Sequence, residues 1–180
     1  MSRIIALLRA VNVGGTGKVA MADLRAMMTG LGFADVASHI ASGNLVFTDD
    51  GRTTEALEPW LEAKATRSLG LANDWILRTP EDWRALIEAN PFPEFARDNP
   101  SRLLVTVFKA AIDPAGLGAL QAMARSGEQM ALGDRALYIC FPEGAGASKL
   151  ANGAIEKRLG SRGTARNWNT LLKLAQMAGA

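Results

Sequence analysis

The chain of 180 residues carries one cysteine, one histidine and one tyrosine. A single cysteine, Cys140, cannot form an internal disulfide or a cysteine-pair zinc site. It reads as a small buried apolar residue in the strand-like run 136–141. One histidine, His39, gives no histidine-based metal centre, because zinc takes several His or Cys ligands. It also lacks a neighbouring acid and nucleophile in the sequence, so no general-base grouping forms around it. Long hydrophobic runs are missing as well. The first, residues 4–8, ends at Arg9, too early for a secretory h-region. Nothing approaches the roughly 20 apolar residues of a membrane span. These absences predict a cytoplasmic protein with no membrane partner, no metal and no cofactor. A chain of this size buries roughly 70% of its extended surface on folding and needs no covalent staple.

Neither basic nor acidic residues dominate. The net charge is +2, far from the dense basic footprint of a dedicated DNA binder. It is unevenly spread. Residues 1–90 hold 9 basic and 11 acidic side chains, and residues 91–180 hold 11 and 7. The last 35 residues set Lys149, Lys157, Arg158, Arg162, Arg166 and Lys173 against Glu156 alone, a local surplus that attracts anions.

Periodicity predicts a strand over 3–11, a glycine-rich turn over 12–17, and a helix bearing Met21, Leu24, Met28 and Leu31. Two strands, 36–40 and 45–48, meet at Ser42, Gly43 and Asn44, a hairpin signal. A helix over 53–69 stops at Gly70, and a short strand follows over 75–78. This βαββαβ order is the ferredoxin-like unit. Thr79, Pro80 and Asp82 then form a helix start, and the proline-bearing stretch 91–101 reads as a linker. The pattern restarts with a strand over 102–109, a helix from Asp113, a hairpin around Gly133 and Asp134, and a helix over 149–159. A last strand has no counterpart in the pattern, and a final helix runs over 167–178. The expected fold is α+β with two ferredoxin-like halves, the second with an extra C-terminal helix. The expected divisions are 1–79, a connecting segment 80–101, and 102–180.

Two places suggest a ligand. In Asn12-Val13-Gly14-Gly15-Thr16-Gly17-Lys18, backbone N–H groups between a strand and a helix can converge on an anion. Lys18 and the helix N-terminus add positive charge there. The spacing is not that of a Walker A loop. The second is the end of the chain. Thr164 is expected to cap the last helix, and Arg166, Asn167 and Asn169 to crowd its first turn. An arginine there calls for a compensating anion, either Glu156 or a bound phosphate. Lys149, Asn152 and Glu156 fall on one face of the preceding helix. Glu55, Glu58 and Glu62 read as a solvated helical stripe.

Several segments together resemble a known family. They are residues 7–15, Lys18, Met21, Ser42, Gly43, Asn44 and Phe47, then Ile155, Glu156, Arg158, Leu159 and Gly160, and finally residues 164–170. The chain resembles the bacterial domain of unknown function 1697 family over nearly its whole length. That resemblance implies a duplicated α+β fold and assigns no activity. Relatives often have Gly at Ala10 and an aromatic residue at His39, which argues against His39 as a family-wide catalyst.

Two functions compete on this basis. In one, Arg9, Asn12, Lys18 and Asn44 from one half and Lys149, Arg166, Asn167 and Asn169 from the other line a cleft between the halves for a phosphate-bearing partner, a nucleotide or nucleic acid. In the other, the chain is a non-catalytic interaction or structural protein and the same residues are internal struts. No acid or nucleophile constellation favours an enzyme.

Overall fold

The continuous apolar run after Arg3 forms β1 (Arg3–Leu8) in the computed structural model, which describes residues 2–14 and 17–180. The elements that follow are α1 (Met21–Gly30), β2 (Ala34–His39), β3 (Asn44–Thr48), α2 (Thr54–Leu69) and β4 (Trp75–Arg78). Two helices come next, α3 (Pro80–Glu88) and α4 (Pro93–Asp98). Then come β5 (Leu103–Phe108), a short 3₁₀ turn, α5 (Leu117–Gln121), β6 (Gln129–Gly133) and β7 (Ala136–Cys140). The chain closes with α6 (Asn152–Leu159), β8 (Gly163–Asn167) and α7 (Trp168–Ala178). No helix among the described residues is long and apolar enough to cross a membrane.

The strands make two four-stranded antiparallel sheets, ordered β2-β3-β1-β4 and β6-β7-β5-β8. Each follows the βαββαβ order, so the fold is α+β with two ferredoxin-like halves. By internal contacts the first unit is Met1–Arg84 with Lys173–Ala180, and the second is Ala85–Leu172. In the first, Leu24, Met28, Leu57 and Leu61 of the helices bury Ala6, Leu8, Leu45 and Phe47 of the sheet. In the second, Leu120, Ile155 and Leu159 cover Phe108, Leu137 and Ile139. The opposite faces, with Ile5, Leu7 and Ile76 in one sheet and Val105, Val107 and Tyr138 in the other, are also buried.

Several expectations are corrected. The second half does have its fourth strand, β8. Its sequence, Gly-Thr-Ala-Arg-Asn, contains no large apolar residue, which hid it from a periodicity reading. Thr164 therefore lies inside a strand, and Asn167 caps α7, its Oδ1 accepting from Thr170 N–H at 3.0 Å. The stretch 91–101 holds α4, because Pro93 fits the first helical position. α6 begins at Asn152, so Lys149 precedes the helix instead of lying on its face.

The acidic stripe is also not simply solvated. Glu62 Oε1 accepts from Trp75 N–H at 2.9 Å, and Glu58 Oε1 accepts from Leu77 N–H at 2.8 Å. Arg9 N–H donates to Asp74 C=O, which fixes the ladder phase and turns Trp75 and Leu77 outward from β1. The carboxylates thus satisfy the free edge of β4. The second unit repeats the device. Gly163 stands opposite Phe108, the last residue of β5, as Trp75 stands opposite Leu8. Its N–H donates to Glu156 Oε1 at 2.9 Å. Three residues on, Arg78 Nη1 donates to the carbonyl of Leu77 at 2.8 Å, and Arg166 Nη1 to that of Ala165 at 2.9 Å. In each half a helical glutamate covers an outward N–H and a buried arginine covers an outward C=O.

Candidate functional site

The first nominated segment starts where β1 ends. Ala10 and Asn12 both take left-handed backbone, each at φ 56°. Asparagine tolerates that conformation because its side chain bonds locally. Here Asn12 Nδ2 donates to the carbonyls of Val19 at 3.0 Å and Ala41 at 2.7 Å, and its Oδ1 accepts from Val19 N–H at 3.0 Å. One amide therefore grips both backbone groups of Val19 and closes the neck of the loop 13–18. Gly15 and Thr16 of that loop lie outside the described residues. Gly17 has φ 61°, and a Cβ there would sit 2.7 Å from the Ala10 carbonyl oxygen, so only glycine fits.

The remaining nominated residues of the first unit surround this neck. Arg9 stands 3.9 Å from the Asp74 carboxylate. Asn73 Nδ2 donates to the carbonyls of Arg9 at 2.7 Å and Ala10 at 3.2 Å. Asn44 is fully buried and donates to His39 C=O and Ser42 Oγ, both at 3.0 Å. Gly43, at φ 75°, turns the hairpin so close to β1 that an added Cβ would lie 2.9 Å from that of Leu8. These side chains hold three loops at one end of the sheet.

Lys18 differs. It is exposed and forms no ion pair among the described residues. It borders a hollow of about 490 Å³ together with Asn12, Val19, Ala20, Asp23 and Leu69. Ala20 is the N-cap of α1 and supplies no side-chain acceptor, so the first-turn N–H groups beside the hollow keep their hydrogen-bonding capacity.

In the second unit Arg166 is 8% exposed. Its Nη1 donates to Thr164 Oγ1 at 2.6 Å as well as to Ala165 C=O. Burial pulls its guanidinium down to about 10, which leaves it charged at neutral pH. Glu156 Oε1 binds Asn152 Nδ2 and Gly163 N–H. Asn167 is the cap of α7. Lys149 is exposed ahead of α6. Asn169 is exposed on α7, beside a hollow shared with Ile87, Pro93, Trp168 and Leu172. Cys140 is buried, and its thiol is pushed up to about 11 by desolvation, which makes it a poor nucleophile. No group of three or more His, Cys, Asp or Glu suited to a metal occurs among the described residues.

Sequence reasoning missed Asn73, Asp74, Asp23 and Leu69. Asn73 and Asp74 carried a signal, two turn-forming residues directly before a strand. Asp23 and Leu69 carried none.

The neck has a measurable consequence. Asn12→Ala removes three hydrogen bonds and should lower the melting temperature by about 5 °C. Amide exchange at Val13, Gly14, Gly17 and Lys18 should quicken more than across β1. An unchanged exchange pattern would show that Asn12 does not hold the loop.

The two four-stranded sheets with their helices make an α+β fold that is also seen in a solved structure. That structure, a conserved bacterial protein SP0830 from Streptococcus pneumoniae, matches with a TM-score of 0.71 and 24% identity, over 98% of each chain. No curated protein matches the chain. Residues 1–138 match the family described as "Protein of unknown function (DUF1697)", and the chain belongs to that family.

Proposed function

We propose that the chain binds a phosphate-bearing ligand, a nucleotide or nucleic acid, at the hollow beside the N-terminus of α1. One observation carries this reading: the exposed Lys18 ammonium stands at the rim of a hollow that also meets the uncapped first turn of a ten-residue helix. N–H donors and a cation together suit a phosphate. Asp23, on the same hollow, disfavours a bare anion and suits a ligand that also carries hydroxyl donors. Asn12, Asn44 and the Arg9–Asp74 pair serve as the frame. The site proposed lies wholly within the first unit.

A second reading has its own support. Arg9, Asn12, Asn44, Arg166 and Asn167 spend polar atoms on internal bonds, which suits a non-catalytic interaction or structural protein. The matched pairs Glu62 and Glu156, and Arg78 and Arg166, favour duplication of one ancestral unit. The single buried cysteine suits a cytoplasmic setting, and the similarity to a streptococcal protein suits a bacterial one.

Titration with nucleotides and short single-stranded nucleic acid at low salt separates the two. Lys18→Ala should weaken binding about tenfold and leave the melting temperature unchanged. Absence of binding by the unaltered chain would favour the second reading.

A further inference from the structure

Each sheet has two edges, and three of the four are closed. Glu58, Glu62 and Arg78 cover β4. Glu156, Asn152 and Arg166 cover β8. β2 is broken by a register shift between Ala34 and Ala37, with Asp35 at φ 51°. There Asp35 also binds Arg3 and Thr48. Bulges and charged side chains of this kind are how proteins keep sheet edges from pairing with other chains.

The fourth edge, β6, has none of these devices. It pairs with β7 in unbroken register from Gln129 to Gly133 and carries no charge or proline. The ladder phase identifies its outward groups. Phe141 N–H donates to Arg102 C=O and Phe108 N–H to Arg135 C=O, so β5 and β7 exchange bonds at Leu104/Ile139 and Thr106/Leu137. β7 therefore turns Ala136, Tyr138 and Cys140 toward β6. Gln129, Ala131 and Gly133 face back, and the N–H and C=O of Met130 and Leu132 point away from the sheet.

We infer that β6 is a self-association edge, on which a second copy of the chain lays its own β6 antiparallel across a two-fold axis. Such pairing is self-complementary, since each outward N–H meets a C=O of the same pattern. An uncharged strand pairs with itself without like-charge contact, and offers nothing for a charged peptide to read. An axis through Met130 sets Glu128 opposite Leu132 of the other copy and keeps Glu128 from facing Asp134. The Glu128 carboxylate is already turned inward to Ser126 N–H at 2.7 Å and Ser148 Oγ at 2.5 Å.

Sedimentation of the full chain across a wide concentration range tests this, together with amide exchange. The expected result is a single chain when dilute and the mass of two chains when concentrated. Exchange at Met130 and Leu132 should slow with concentration, and exchange at Trp75 and Leu77 should not. Leu132→Pro, which removes an outward N–H that the β7 ladder does not use, should abolish the doubled mass. Exchange in the unaltered chain decides the matter if that variant misfolds. A single chain throughout with concentration-independent exchange overturns the inference. So does a dimer protected elsewhere, or protection of Met130 and Leu132 that arises only on adding another protein's extended segment.

Discussion

Replacing Glu58 and Glu62 together by alanine should lower the melting temperature by about 10 °C and make the chain prone to aggregate. Each carboxylate satisfies an N–H of a buried residue, Leu77 or Trp75. Leaving a buried donor unmet costs roughly 1–3 kcal/mol, and for a domain of this size each kcal/mol is worth about 2–4 °C. The two losses fall on one strand and need not add. Glu58→Gln with Glu62→Gln is the control, because an amide oxygen still accepts. It should retain most of the stability. Thermal melts and light scattering of the three proteins check both parts. A double-alanine chain that melts like the unaltered one would mean that water satisfies the edge.

Arg166→Ala should cost about 3 kcal/mol, or roughly 9 °C, through a cavity and two acceptors left without their donor. The buried guanidinium donates to Thr164 Oγ1 and Ala165 C=O, so Lys should restore only part of the loss, being a point charge on a flexible stem. Nucleotide affinity should stay as it was wherever the variant is folded. A loss of affinity with no change in melting temperature would instead make Arg166 a ligand-binding residue.

Much of the architecture was legible because periodicity carried it. Leu57 and Leu61 on α2, and the glycine stop at Gly70, are signals that depend on neighbours in sequence alone. β8 was illegible for the opposite reason. Thr164 and Arg166 are held by the β5 ladder and by their own hydrogen bonds, and none of that shows as apolar alternation. Glu58 and Glu62 show the same limit. Their spacing is that of a solvated face, yet the strand positions they satisfy lie 19 and 13 residues away, respectively. At the candidate site the sequence located the loop by its glycines and by Asn12. It could not separate Asn12 and Asn44, whose amides are engaged with backbone, from Lys18, whose ammonium is exposed. That difference depends on where Val19, Ala41 and His39 present their carbonyls.

The central claim is that Lys18, with the first turn of α1, is available to receive phosphate, while Asn12, Asn44 and the Arg9–Asp74 pair hold the loop in shape. The most direct measurement is a set of backbone amide NMR spectra recorded as a nucleotide is added at low salt. Shifts should centre on Lys18 to Leu24, and in Lys18→Ala they should need about tenfold more nucleotide to reach the same size. Shifts centred elsewhere, or an undiminished response in Lys18→Ala, would contradict it.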